Sequence, residues 1–96
     1  MIPGQISKVS ESIVASAASI LVLTDVVKIT GSTQINTILT PLANPTGCVI
    51  VLIPTDGAVT LGTSGNILVG ITMAQNRAVW LVWSKLLQKW VINSGV

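Results

Sequence analysis

The chain has 96 residues, of which 50% are hydrophobic and only 8% are charged, and its mean hydropathy is +0.80. An ordinary globular domain carries about 25% charged residues, and one of this size buries only roughly 60–65% of its unfolded surface. A monomer would leave much apolar area in water, which favours an oligomer with extensive interfaces. No run of about 20 apolar residues is present to span a membrane, and the net charge of +2 includes no Lys/Arg cluster for nucleic acid.

The first twelve residues differ in composition from the rest of the chain. They contain Pro3, Gly4, three serines and two of the eight charged side chains. This composition predicts an N-terminal arm at 1–12 that lies outside the core, followed by a single domain at 13–96. The arm carries apolar residues separated by polar or flexible ones, and these are candidate anchors for a partner: Ile2, Ile6 and Val9.

From residue 13 onward, short apolar runs rich in Val, Ile and Thr alternate with turn-forming residues. Runs of this length at this spacing predict β-strands. The predicted strands are 26–30, 35–39, 48–53, 58–62, 67–73, 78–84 and 89–93.

The segment that precedes these strands is ambiguous. Val9, Ile13, Ala17 and Leu21 would share one face of a helix. The run ends at Thr24-Asp25, directly before the next predicted strand, and a long strand turning there fits equally well. We favour the strand.

The turn residues indicate how the strands are connected. Asp56-Gly57 and Gly65-Asn66 are dipeptides typical of tight hairpins, and hairpins join antiparallel neighbours. The sequence therefore predicts an all-β fold, a compact antiparallel β-sandwich or barrel. The runs at 48–53 and 78–83 are apolar at successive positions, as expected for strands covered on both faces. In a small domain only one face meets the core, so we expect the other face to meet a neighbouring chain.

The residues available for catalysis are few. The chain has no His, the usual general base and a common metal ligand. Asp25 and Asp56 lie at predicted turns, where Asp normally bonds backbone groups, and Cys48 has no His or Lys beside it to activate a thiolate. We therefore expect no enzyme activity, no catalytic site, no metal and no cofactor.

All three tryptophans lie in the last fifth of the chain. Trp80 and Trp83 have opposite parity on one predicted strand, so they should point to opposite faces, and Trp90 follows on the next strand. A shared platform for stacking a sugar or a base is disfavoured by this geometry. We expect these residues to serve in the core and at an oligomer interface, because Trp supplies a large buried area.

Four segments together resemble a pattern in tailed-bacteriophage virion proteins: "ITGSTQINTIL", "GCVIVLI", "AVTLGTSGNILV" and "AVWLVWSKLLQKWVI". The matching residues are Thr30, Gly31, Ser32, Ile35, Ile38, Gly47, Ile50, Leu52, Val59, Thr60, Leu61, Asn66, Leu68 and Trp90. The resemblance covers about residues 26–93. The turn "SKLLQK" departs from the Gly- or Asp-rich turn usual before the closing Trp, and it marks a candidate contact surface.

The resemblance and the small size together imply a capsid decoration (cement) protein. Such proteins are compact β domains, usually homotrimers, that bind the major capsid protein on the outside of the virion through an N-terminal arm. In this chain that arm would present Ile2, Pro3, Ile6 and Val9. The alternative is a fibre or spike module that binds a receptor or a carbohydrate with its tryptophans. No nucleic-acid or membrane partner is expected.

Overall fold

The computed structural model describes residues 11–41 and 48–93, which form nine β-strands and no helix. The strands are β1 (Glu11–Ala15), β2 (Ser19–Leu21), β3 (Val26–Thr30), β4 (Thr37–Leu39), β5 (Val49–Pro54), β6 (Val59–Leu61), β7 (Ile71–Met73), β8 (Val79–Ser84) and β9 (Lys89–Asn93). The prediction of an all-β protein is confirmed. Within the described ranges no helix is long and apolar enough to cross a membrane.

Five strands form one mixed sheet in the order β1-β3-β5-β8-β9. β3 pairs in parallel with both β1 and β5, whereas β8 pairs antiparallel with both β5 and β9. Parallel neighbours require a connection that leaves the sheet and returns. The first such connection contains β2 and the second contains β4, and these two strands pair in parallel as a separate sheet. The first half of the chain therefore winds in successive coils that stack edge to edge.

The predicted antiparallel arrangement is thus wrong for the first half of the chain and confirmed for the second. It depended on reading Asp56-Gly57 as a hairpin turn, but this pair links β5 to β6, which belong to different sheets. The Asp56 Oδ2 atom accepts a hydrogen bond from the backbone N–H of Gly31, at 2.8 Å. Gly31 has a φ of 74°, a conformation that favours glycine. The Asp-Gly pair therefore forms a corner that is tied to the coil before it.

Gly65-Asn66 is not a tight hairpin turn either. β6 and β7 pair antiparallel as a third sheet, but the connection between them spans 62–70. Of the predicted strand at 67–73, only its last three residues form β7, and Ile67 instead makes an isolated parallel bridge to Trp90. This connection lies beside β4, where the backbone of Gly65 approaches Asn36 and leaves no room for a side chain.

The ambiguous segment at the start of the domain forms β1 and β2 rather than a helix. The break between them lies at Ser16, whose N–H donates to the Thr30 carbonyl at 2.8 Å and whose hydroxyl accepts from the Thr33 N–H at 2.9 Å. These bonds anchor the bend to the next coil. Residues 11 and 12, which the sequence assigns to the arm, form the start of β1.

One hydrophobic core receives side chains from all three sheets. Every second residue is buried along β3, β5 and β8, because successive strand residues point to opposite faces. Trp90 is the largest fully buried side chain, and it lies at the end of the core closed by β9. Among the described residues, no buried side-chain nitrogen or oxygen lacks a hydrogen-bond partner.

Candidate interaction surface

The outer face of the five-stranded sheet, hereafter the outer face, is a candidate interaction site. It consists of the residues that alternate with the core positions. The strand register aligns them in rows across the sheet. The main rows are Glu11, Val26, Val51 and Trp80; Ile13, Lys28 and Ile53; and Val49, Val82 and Val91. All of these side chains are exposed or half-buried.

The outer face is apolar for a surface. Two of its charged side chains form an ion pair with each other, with the Lys28 Nζ atom 2.8 Å from a carboxylate oxygen of Glu11. Each is about half exposed, so the pair stabilises the fold little. A third, Lys89 on β9, donates from Nζ to the Gly65 carbonyl at 2.9 Å. The rest of the face is mainly aliphatic, with polar side chains at Thr30 and Ser84. Its one aromatic residue among the described positions is Trp80, which is 44% exposed on the strand next to the edge. Contiguous exposed apolar surface of this kind marks an interaction site.

The three tryptophans divide between the core and this face. Trp83 and Trp90 lie opposite each other on β8 and β9, and their rings meet edge to face with centroids 5.3 Å apart. The Trp90 indole N–H donates to the Ile38 carbonyl at 3.2 Å, which ties β9 to the second sheet. The opposite orientation of Trp80 and Trp83 that parity predicts is confirmed by their 44% and 8% exposures. The three rings therefore do not form one stacking platform.

The turn between β8 and β9 presents a second apolar feature. Leu86 is 95% exposed and Leu87 is about half exposed at its tip. The turn is fixed by its backbone, because the Gln88 N–H donates to the Ser84 carbonyl at 2.8 Å and the Leu87 N–H donates to the Ser84 hydroxyl at 3.2 Å. The sequence singled out this turn as a contact surface, and the structure places two leucines there in water.

The polar residues considered for catalysis are dispersed. Glu11 belongs to the ion pair and Asp56 binds the Gly31 backbone, whereas Asp25 and Cys48 line one small pocket of about 130 Å³. The sequence did not predict that Asp25 and Cys48 would lie together. Thr24 and Thr40 also line that pocket. Within the described ranges no cluster of three His, Cys, Asp or Glu residues is present to hold a metal ion.

The proposed arm residues Ile2, Pro3, Ile6 and Val9 lie outside the described residues, and their role stays a prediction. The structure also shows a functional position that the sequence analysis missed. The Asn66 carboxamide bonds both backbone groups of Ile38: Nδ2 donates to the carbonyl at 2.7 Å, and Oδ1 accepts from the N–H at 2.8 Å. Asn66 thus occupies the place of a neighbouring strand and closes the edge of β4.

No protein-family model and no curated protein matches the chain. A solved structure described as "Structure of a chaperone-substrate complex" is similar to it, with a TM-score of 0.53 at 13% sequence identity. The similarity covers 80% of this chain, which spans only 14% of the length of that one. At this identity the likeness concerns the fold alone.

Proposed function

We propose that this chain is a structural virion protein, a capsid decoration (cement) protein that binds and stabilises a phage head as a homo-oligomer. The observation that carries the proposal is the outer face, an exposed apolar sheet surface with Trp80 on it. Large aromatic residues within apolar surface are typical of the centre of protein interfaces. The resemblance of the strand motifs to phage virion modules directs the proposal to a capsid.

Self-association and capsid binding would use different parts of the chain. The outer face would meet other copies, in a trimer if the resemblance holds. Residues 1–12 would bind the major capsid protein on the virion surface, with Ile2, Pro3, Ile6 and Val9 as anchors. An extended segment suits that task, because strand addition obtains affinity from main-chain hydrogen bonds.

The finer description of the fold belongs to the same proposal. Three sheets surround one core, which supports a compact sandwich-like packing of the sheets. In such a packing each sheet has one buried face, and the outer face of the five-stranded sheet is left to a partner.

A fibre or spike module that binds a receptor or a carbohydrate is the second candidate. The exposure of Trp80 favours it, because a half-exposed indole can stack on a sugar ring. Trp83 and Trp90 are buried and would not take part. The two candidates differ in what Trp80 contacts: another copy in the first, a sugar in the second.

The test is a pair of variants with matched exposure. Trp80 is 44% exposed on the outer face, and Leu39 is 49% exposed on β4, in another sheet. Trp80→Ser should lower the mass measured by sedimentation velocity while leaving the circular dichroism spectrum unchanged, and Leu39→Ser should leave the mass of the wild type. Both variants are then mixed with capsids stripped of this chain and pelleted.

The decoration proposal predicts that the wild type pellets with capsids and that Trp80→Ser pellets less, because it loses the avidity of the oligomer. A wild type that is monomeric at micromolar concentration, or one that does not pellet, contradicts the proposal. If Trp80→Ser keeps the oligomeric mass but loses binding to a glycan array, the fibre alternative is correct.

A further inference from the structure

The first half of the chain winds in successive coils, β1–β2 and then β3–β4, and we call this arrangement the coil stack. It is closed at one end and open at the other. At the closed end, Asn66 and the Trp90 indole satisfy the backbone of Ile38 on the free side of β4. At the open end lies β1, which has a neighbour on one side only among the described strands. Stacked coils require terminal caps because an uncovered coil exposes its edge and its apolar side chains.

The hydrogen bonds between β1 and β3 show which backbone groups point out of the open end. In a parallel pair, alternate residues direct both N–H and C=O to the same neighbour. The Ser16 N–H donates to the Thr30 carbonyl, so Ser12 and Val14, at even spacing from Ser16, also face β3. The intervening residues Glu11, Ile13 and Ala15 therefore direct their N–H and C=O groups away from the sheet.

Within the described residues, β1 itself has few of the sequence features that normally protect an edge strand from pairing. Proteins blunt exposed edges with Lys, Pro or bulges. β1 reads "ESIVA", with one charge at its first residue and no proline. Ile13, at its centre, is 70% exposed. Five residues with three outward-facing backbone positions form a usable edge, whereas β2 at the same end has only three residues.

We propose that the β1 edge pairs with the β1 edge of a second copy, antiparallel and about a twofold axis at Ile13. In this register Ile13 lies opposite its counterpart, and Glu11 lies opposite the partner copy's equivalent of Ala15. No like charges face each other, and the three outward positions of each copy form about six hydrogen bonds. The two outer faces would join into one continuous apolar sheet surface. The contact is isologous, so it closes at two copies.

The inference rests on the proposed function only in assigning a second copy as the partner, and it uses a different surface from Trp80. Combined with an oligomer built on the outer face, a twofold edge contact would link one oligomer to the next. Such a contact would connect neighbouring units of a capsid.

The register gives a disulfide test in a Cys48→Ser background, which removes the free thiol of Cys48. An Ile13→Cys variant places two thiols on residues with Cα atoms about 5.5 Å apart, within the roughly 4.4–6.8 Å that a disulfide spans. An Ala15→Cys variant is the matched control, because its two Cα atoms would lie roughly 14 Å apart, four residues along the strand. Mild oxidation should yield a covalent dimer on a non-reducing denaturing gel for Ile13→Cys and not for Ala15→Cys.

A proline variant tests the hydrogen bonds themselves. Ala15→Pro removes an N–H that points out of the sheet, so the fold should be kept, since proline is accepted on the free side of edge strands. Ala15→Val keeps the N–H and is the control. In the Ile13→Cys background, Ala15→Pro should weaken the twofold contact by about 25-fold, because two bonds are lost and each is worth roughly fivefold. Ala15→Val should leave cross-linking unchanged.

Equal cross-linking of Ile13→Cys and Ala15→Cys, or no Ile13 dimer from folded protein, overturns the inference. If the Ile13 and Ala15 amides become protected from hydrogen exchange on capsids while no Ile13→Cys dimer forms, the β1 edge pairs with a capsid strand instead. That result also overturns the inference. Should Ala15→Pro fail to fold, hydrogen exchange of the wild type decides: the Ile13 and Ala15 amides must gain protection as protein concentration rises. If Trp80→Ser no longer forms the oligomer but Ile13→Cys still cross-links, both proposals are supported. If Trp80→Ser keeps the wild-type mass and Ile13→Cys still cross-links, only the outer-face proposal is contradicted.

Discussion

Asn66 offers the sharpest test of how the coil stack is closed. Its carboxamide donates to the Ile38 carbonyl at 2.7 Å and accepts from the Ile38 N–H at 2.8 Å, in partly buried surroundings. The carbonyl has a second donor in the Trp90 indole at 3.2 Å, so it keeps a partner when Asn66 is replaced. The Ile38 N–H loses the acceptor that Asn66 supplies. The two halves of the carboxamide therefore contribute unequally.

The expected magnitudes follow from this asymmetry. Asn66→Ala leaves a partly buried N–H without that acceptor and should lower the free energy of unfolding by about 1–3 kcal/mol. Asn66→Asp keeps an acceptor for the N–H but places a carboxylate oxygen against the Ile38 carbonyl, so at neutral pH it should be at least as destabilising. Trp90→Phe removes the other donor to the Ile38 carbonyl. The double variant Asn66→Ala/Trp90→Phe should therefore lose more unfolding free energy than the two single variants lose together, because the carbonyl then has neither donor.

The assay is urea unfolding followed by tryptophan fluorescence, at a protein concentration held constant across the variants because an oligomer's stability depends on it. Thr63→Ala, an exposed change in the same connection, is the control. If Asn66→Ala unfolds within about 0.5 kcal/mol of the wild type, as an ordinary surface substitution does, the claim that Asn66 closes the stack is refuted.

Three further predictions concern the core, the arm and the dispersed polar residues. Trp90→Ala should lower the free energy of unfolding by about 3–5 kcal/mol, since the ring is fully buried, and urea unfolding measures it. Deleting residues 1–9 should abolish pelleting with capsids and leave the sedimented mass of the oligomer unchanged; retained pelleting would assign capsid binding elsewhere. Asp25→Asn, Asp56→Asn and Cys48→Ser should alter stability at most, and loss of a virion-associated activity by a folded variant would reveal a catalytic role.

The strands themselves could be predicted from the sequence because burial imposes a short-range pattern. β3 and β9 have the predicted bounds, β8 begins one residue later than predicted, and β5 and β6 differ from the prediction by one residue at each end. The opposite faces of Trp80 and Trp83 followed from the same period of two. These features depend on neighbours within one strand, and local sequence carries that information.

Strand pairing could not be predicted in the same way. Asp-Gly and Gly-Asn mark a reversal of the chain, but a corner between two sheets and a hairpin within one sheet require the same backbone freedom at the turn. What distinguishes them is the partner at long range: Asp56 binds Gly31, and Asn66 binds Ile38. Neither partner can be recognised from the residues around the turn, so the sequence predicts hairpins where the structure has parallel coils.

The candidate surface was predictable in kind but not in position. Strands apolar on both faces indicated an interface, and the structure leaves an apolar outer face exposed on the five-stranded sheet. The open edge at β1 depends on which strand lies last in the sheet, and that is a property of topology. Ile13 therefore drew notice in the sequence only as a residue of an ambiguous segment.

The proposal that this chain decorates a capsid is tested most directly by measuring the copy number of the chain in purified particles. Quantitative mass spectrometry of the virion, calibrated with labelled peptides from this chain and from the major capsid protein, gives that number. We expect the chain in a fixed proportion to the capsid protein, as for a protein that covers the head. Its absence from the particle, or its presence in only the few copies of a fibre or spike, would show that it does not decorate the capsid.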